Sequence, residues 1–330
     1  MAYASFDIAS VHRLLKQQRF AEAAGMLIAG ADAGHPTACD ELAQWRIVGN
    51  VVRRDLANAR ALLRSAWTAG SASSGLLYAA FLASGVGGPS DWLGAVEGLR
   101  GLAADHPAAA EQLRLIDAMA LTPEGAPAVA IKRRLVSVSP HIELAEALFT
   151  PRECAYLLAV GAPIFRRSLV VDPRTGRMMA HPIRKSDGAM IGVHAEDVAI
   201  NALNRRIATF SRTDPVQGEP LQLLRYGPAD EYRAHLDTLP AEPNQRIVTV
   251  IVYLSSEYEG GESAFLRAGM KIRGKLGDAI LFHNVRSDGE PDAMAEHAGL
   301  PVVSGTKHIA SRWIRARRFE YPPPKPLIDI

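Results

Sequence analysis

The chain has 330 residues, of which 48% are hydrophobic and 22% charged, and its formal net charge is +2, the balance of an ordinary globular protein with material for two domains. No domain carries the basic excess of a dedicated nucleic-acid binder, and Cys39 and Cys154, far apart, offer neither a disulfide framework nor a C-x-x-C motif. The first fifteen residues carry charges where a signal peptide needs an apolar core, and no run of about 18 apolar residues exists for a membrane span, so a reducing cytoplasm is expected.

The first 120 or so residues repeat at a fixed offset. Gly34-His35-Pro36 corresponds to Gly70-Ser71-Ala72 and, loosely, to Asp105-His106-Pro107; Gly49 pairs with Gly85, Asp55 with Asp91, Ala59 with Ala95 and Leu63 with Leu99, each 36 residues on. Such a period, rich in Ala and Leu with glycine at set places, predicts stacked helix-turn-helix units whose glycines end helices. Ala38-x-x-x-Leu42-Ala43 and Gly85-Val86-Gly87-Gly88-x-x-Asp91-Trp92 resemble Sel-like repeats, relatives of the tetratricopeptide repeat. That resemblance implies an α-solenoid offering a concave surface to a protein partner, or else a helical prop for the rest of the chain.

Thr122-Pro123-Glu124-Gly125-Ala126-Pro127 punctuates the sequence and sets an expected boundary, with residues 1–125 as the repeat domain and 126–330 as a second domain. Beyond it, residues 135–139 alternate like a strand. Thr150-Pro151-Arg152-Glu153 is a capping box that opens a helix. Residues 166–172 are β-like and lead into a turn at 172–176, and Val198, Leu203, Ile207 and Phe210 mark a second helix. From Leu221 onward short strands dominate, at 221–226, 231–237, 246–254, 279–282, 301–303 and 307–315, with turns at Gly227-Pro228, Gly260-Gly261 and Gly274. Many strands behind a few helices predict a double-sheet jelly roll, so the whole chain reads as an α+β two-domain protein. The basic clusters Lys132-Arg133-Arg134 and residues 312–318 read as solvated strand faces, and the proline-rich run from Tyr321 to Pro326 as an extended, mobile tail.

The chemistry concentrates in His235-Leu236-Asp237, with His297 and Lys307 downstream. Two imidazoles and one carboxylate form the set that holds ferrous iron on one face of its octahedron and leaves three positions open. An i, i+2 spacing on a strand points both side chains to one face. The triplet alone is a weak signal. Zinc is the competing metal, but no H-E-x-x-H helix, cysteine ligand or obvious catalytic glutamate accompanies these residues. A 2-oxo acid chelating the iron would need a buried cation for its far carboxylate, and Lys307, opening an alternating strand that reaches Trp313, is the candidate. The other histidines (His12, His35, His106, His141, His181, His194 and His308) share no ligand spacing.

The blocks around these residues resemble the prolyl 4-hydroxylases, a branch of the iron(II)/2-oxoglutarate dioxygenases. They are residues 221–227, 231–237 and 246–254, then Gly260-Gly261-Glu262-Ser263, residues 277–282, His297-Ala298-Gly299-Leu300-Pro301-Val302, and Gly305-Thr306-Lys307 through Trp313-Ile314-Arg315. The resemblance spans about residues 140 to 318 and implies a double-stranded β-helix. By that resemblance His235, Asp237 and His297 would ligate iron, and Lys307, Tyr226 and Ser263 would contact 2-oxoglutarate. Tyr232, Arg246 and Trp313 would shape a peptide groove. His283 stands where the family commonly has tryptophan, and the loop 238–245 is short.

The implied activity is hydroxylation of a prolyl residue at C4 in a peptide or protein, using dioxygen and releasing succinate and carbon dioxide, with ascorbate as a possible reductant. The intact carboxylate of Asp237 points to hydroxylation, since related halogenases have a small residue there. Two other readings stand beside it: a hydroxylase of a free amino acid or small metabolite, and an inactive interaction scaffold. No nucleic-acid or membrane partner is expected; a peptide or protein substrate is, brought in by the repeats. Nothing in the sequence sets the oligomeric state.

Overall fold

A computed structural model describes residues 6–171, 178–180, 183–320 and 323–330. The turn expected at 172–176, together with His181, Tyr321 and Pro322, lies outside the described residues. The chain divides into two compact units. One runs to Gly125 and takes in Glu196–Ala202 and Glu320–Ile330; the other holds Ala126–Ala195 and Leu203–Phe319. Among the described residues, no helix is long and apolar enough to cross a membrane.

The first unit is built on seven helices: α1 (Ile8–Lys16), α2 (Phe20–Asp32), α3 (Pro36–Val48), α4 (Leu56–Thr68), α5 (Ala72–Ser84), α6 (Trp92–Leu102) and α7 (Pro107–Ala118). The 36-residue offset is a repeat of structural jobs. Gly49 and Gly85 end α3 and α5 in the left-handed conformation, at φ 77° and 73°, which costs a residue with a Cβ about 1–2 kcal/mol. Asp55 and Asp91 cap α4 and α6, each carboxylate accepting a backbone N–H three residues on at 2.9 Å. The cap N–H groups return to Arg46 and Leu82, again one repeat apart. Ala59, Ala95, Leu63 and Leu99 are fully buried, so the small residues let successive helices approach closely. The expected helical-repeat architecture is present.

Leu327 and Ile328, just after the proline-rich run, belong to this unit. The Leu327 and Ile328 N–H groups donate to the Asn50 and Val51 carbonyls at 2.9 Å, and Ile328 packs against the cluster holding Val11, Leu27, Trp45 and Val52. The α3–α4 connection offers backbone acceptors beside an apolar surface, and an extended Leu-Ile segment satisfies both.

The second unit opens with β1 (Arg134–Val138) and β2 (His141–Ala145), then α8 (Pro151–Gly161), β3 (Arg166–Arg167), β4 (Leu169–Val171), β5 (Met178–Ala180), β6 (Asp187–Ile191) and, from Leu203 on, α9 (Val198–Ser211). The remaining strands are β7 (Leu221–Tyr226), β8 (Tyr232–His235), β9 (Arg246–Tyr253), β10 (Tyr258–Gly260), β11 (Ser263–Phe265), β12 (Met270–Ile272), β13 (Ala279–His283), β14 (His297–Gly299), β15 (Val302–Gly305) and β16 (Lys307–Arg315). The Thr150 capping box forms as expected, with Glu153 returning a carboxylate to the Thr150 N–H at 2.8 Å.

An eight-stranded antiparallel sheet runs β1-β2-β13-β9-β16-β7-β6-β3, and a four-stranded sheet runs β12-β11-β14-β8. Their inner faces share one core: Leu224, Tyr253, Ile280 and Phe282 from the large sheet meet Phe265 and Ile272 from the small one. Phe265 packs edge-on against Phe282 at 5.1 Å between centroids. This is the expected double-stranded β-helix. The expected solvated face at residues 312–318 is corrected, because Arg312 and Arg315 are buried. Arg312 directs its guanidinium at the carbonyls of Glu219, Asn204 and Pro215, so it serves as an internal strut rather than a surface charge.

Asp91→Ala is expected to destabilise the helical unit by about 1 kcal/mol, and Gly85→Ala by about 1–2 kcal/mol. Asp55→Ala and Gly49→Ala should match them one repeat earlier. Urea unfolding followed by far-UV circular dichroism checks the equivalence.

Candidate active site

Strand pairing brings the distant histidines together. In the β8–β14 ladder His297 sits directly opposite His235, and their rings lie 4.3 Å apart at 52°. The Nδ1 atoms of the two rings are 2.8 Å from the Arg233 carbonyl and 3.1 Å from the Ala295 carbonyl. Each carbonyl can only accept, so each Nδ1 carries a proton and each Nε2 keeps a free lone pair. Those lone pairs face Asp237: His235 Nε2 is 3.5 Å from Oδ1 and His297 Nε2 is 3.8 Å from Oδ2. The three donor atoms lie within 4.8 Å of one another.

The route by which Asp237 arrives differs from the expected strand alternation. β8 ends at His235, and Asp237 lies in the bend beyond it. Its carboxylate is fixed from the large sheet instead, where the Thr249 hydroxyl on β9 donates to Oδ2 at 2.6 Å. Burial works against the charge on Asp237, but histidine rings that carry a proton on Nε2 at acid pH, together with the Thr249 hydroxyl, outweigh it and hold the carboxyl well below the usual range. Burial also pulls His297 down to about 4, so the ring is neutral at pH 7. One carboxylate and two imidazole lone pairs converging in a buried space fit a divalent cation, and no thiolate stands near to favour a softer one.

The triad lies in a cleft whose empty space, open solvent included, is about 440 Å³. Lys307, Ile309, Ser311 and Trp313, every second residue of β16, line it. That row spans about 20 Å at strand rise. Lys307 lies at one end, opposite Tyr226 on β7. Its ammonium, 3% exposed as a residue, donates to the Gly261 carbonyl at 2.6 Å and, among the described residues, makes no ion pair. Burial drops it to about 8, against a raising influence from Glu262. Gly261 sits at φ +67°, and a Cβ there would stand 3.2 Å from the Lys307 side chain, so this close approach needs glycine. Tyr226 and Ser263 line the same end; the Ser263 hydroxyl shares a hydrogen bond with Tyr253 at 3.1 Å.

Tyr232 stacks on His235 at 3.6 Å and 17°, and Trp313 closes the β16 row at its far end. Arg246 is not on the cleft surface. Its guanidinium lies 3.8 Å over the Trp313 ring, grips Glu219 through Nε and Nη2 at 2.6 and 2.8 Å, and donates through Nη1 to the Asp237 carbonyl at 3.4 Å, so it shapes the site through the indole and the Asp237 backbone. His283, the departure from the family pattern, faces His141 at 4.4 Å and does not line the cleft.

Sequence reading missed Glu219, which also accepts from Arg315 at 2.5 Å, and it missed Thr249, Asn284, Gly261 and Ser311 as parts of the site. A lone threonine inside the apolar run Ile247-Val248-Thr249-Val250-Ile251 was the available signal. Nothing in the sequence ties Glu219 to Arg246.

Residues 221–315 match a family model described as the 2OG-Fe(II) oxygenase superfamily. Prolyl 4-hydroxylase 1 of Arabidopsis thaliana is 34% identical over 207 residues, covering 57% of this chain and 73% of that protein. The chain belongs to the prolyl 4-hydroxylase family. Probable prolyl 4-hydroxylase 10 of the same plant is 30% identical, with 56% and 72% covered. Among solved structures, the viral collagen prolyl hydroxylase vCPH from Paramecium Bursaria Chlorella virus-1 is 26% identical over 53% of this chain and 96% of that one, at a TM-score of 0.44. Iron(II) and 2-oxoglutarate are accordingly the metal and cosubstrate of this prolyl 4-hydroxylase homologue.

Because burial depresses the Lys307 ammonium, the empty site holds it charged below about pH 8 and loses the proton above it. An incoming carboxylate favours the charged form, so 2-oxoglutarate binding should be flat at neutral pH. Above pH 8 it should weaken by up to about tenfold per pH unit as the amine must first take up a proton. Lys307→Met should bind more weakly at pH 7 and lose the break. Calorimetric titration of Mn(II)-loaded protein across pH 6.5 to 9.5 measures both.

Proposed function

We propose that this chain hydroxylates prolyl residues of a peptide or protein at C4, with 2-oxoglutarate converted to succinate and carbon dioxide. The observation that carries the reading is one cleft that gathers a metal-binding triad, a buried ammonium and the rings of Tyr232 and Trp313. His235, Asp237 and His297 would hold the iron. When bound, iron with dioxygen and 2-oxoglutarate supplies the oxidising power that replaces a substrate C–H by C–OH.

The protein's own contribution is placement. Lys307 would receive the far carboxylate of 2-oxoglutarate as a desolvated point charge, with the Ser263 hydroxyl and Tyr226 beside it. Tyr232 holds the His235 ring by stacking and, with Trp313, would bracket a pyrrolidine ring at the mouth. Arg246, neutralised by Glu219, holds the indole plane still. The apolar walls formed by Leu224, Ile251 and Ile309 keep water from the reacting atoms.

The helical unit would recruit the protein substrate, an assignment supported by its repeat architecture. Ascorbate as a reductant follows from the family resemblance alone. A reducing, cytoplasmic setting follows from the sequence composition alone.

Anaerobic loading with Fe(II) and 2-oxoglutarate, then air and a panel of proline peptides read by mass spectrometry, tests the assignment. A gain of one oxygen on proline is expected. Succinate release with no modified peptide would count against prolyl specificity and favour a small-molecule substrate. Asp237→Ala should abolish turnover, whereas Lys307→Ala should chiefly raise the 2-oxoglutarate requirement; full activity of either variant contradicts these roles.

A further inference from the structure

Behind the triad lies a second row of polar groups, none of them exposed. Thr249 and Asn284 are each 1% exposed and Asp237 is 5%. Asn284 follows β13 and is pinned on both sides by its backbone, its N–H donating to Ile247 and its carbonyl accepting from Asp292, both at 2.9 Å. Its Nδ2 donates to the Thr249 hydroxyl at 2.9 Å, and that hydroxyl donates to Asp237 Oδ2 at 2.6 Å.

Proton counting fixes the direction of this chain. An ionised carboxylate only accepts, and a threonine hydroxyl has a single proton to give. With that proton committed to Asp237, the other side of the Thr249 oxygen needs a donor, and only the amide nitrogen of Asn284 supplies one. The reverse amide orientation would set two lone-pair oxygens against each other. Asn284 Oδ1, by contrast, has no hydrogen-bond partner among the described residues. The residue therefore keeps one buried, unsatisfied acceptor, an unfavourable arrangement, so that its nitrogen can face Thr249.

We propose that Thr249 and Asn284 are positioning residues that make Asp237 a one-oxygen ligand. Asn284 locks the Thr249 hydroxyl toward Oδ2, and Thr249 fixes the carboxylate plane and draws electron density from that oxygen, which leaves Oδ1 as the better donor to the metal. A carboxylate free to turn could give both oxygens and consume one of the positions that cosubstrate and dioxygen need. The proposal rests on reading the triad as a metal site and adds the residues that set its ligand count.

The test is Mn(II) titration of the full chain without 2-oxoglutarate, followed by electron paramagnetic resonance. It compares wild type, Thr249→Val, Thr249→Ser, Asn284→Ala and the double variant that combines Thr249→Val with Asn284→Ala. Thr249→Val should weaken Mn(II) by about 10- to 100-fold, and Thr249→Ser should retain wild-type affinity. Asn284→Ala should weaken it about fivefold when Thr249 is present and not at all in the Thr249→Val background. Equal losses from Asn284→Ala in both backgrounds, or wild-type affinity in Thr249→Val, would overturn the proposal. Should Thr249→Val not fold, Asn284→Ala alone decides, since unchanged affinity there refutes the relay. Wild-type protein that binds no Mn(II) would instead remove the metal reading on which this rests.

Discussion

A single carboxylate, ionised in a nearly water-free space, sets the terms for the rest of the second unit. An isolated buried charge costs several kcal/mol, and a protein keeps one only where surrounding groups are arranged to receive it. Asp237 is received by one hydroxyl from the large sheet, and with the two imidazoles of the small sheet it forms a set that a cation between them would complete. The two sheets must therefore face one another at this point and in this register. Shift β14 by one residue against β8 and His297 would turn to the opposite face. The core between the sheets, with Phe265, Phe282 and Tyr253 filling it, maintains that register.

A second carboxylate performs the analogous task at the mouth. Glu219 is shared by Arg246 and Arg315, and Arg246 in turn lies flat on Trp313. Glu242 stands 3.6 Å from Arg315, so two guanidiniums meet two carboxylates here and Arg246 is free to lie against the ring face. Lys307 differs in kind. It is buried, its ammonium is held by one carbonyl, and its depressed basicity marks a cation awaiting an anion. β16 joins these regions, since its inward residues pass from cosubstrate anchor to aromatic lip along one rigid strand.

The helical unit follows different rules. The pairs α3–α4 and α5–α6 are closed by the same glycine and the same aspartate cap, so local interactions suffice there and long-range pairing matters little. The β unit is held by contacts between residues far apart in sequence, and its local signals are correspondingly weaker.

Much of this was legible in the sequence. The period of 36 predicts the helical hairpins because glycine caps and buried alanines act within a few residues of themselves. β7 and β16 fall where alternation places them. The short strands β10, β11, β12 and β14 leave no such trace, because three residues carry too little periodicity to register. Lys307 and the triad stand out from residue type and family pattern alone. What only the tertiary structure decided was how they meet: His297 opposite His235 across a ladder, Asp237 held from β9 rather than by strand alternation, Arg246 withdrawn behind Trp313 by Glu219, and Arg312 and Arg315 drawn inside. The physical reason is the range of the forces involved. Caps, turns and strand faces are set by neighbours along the chain, whereas burial, charge pairing and hydrogen-bond direction depend on which distant segment packs alongside.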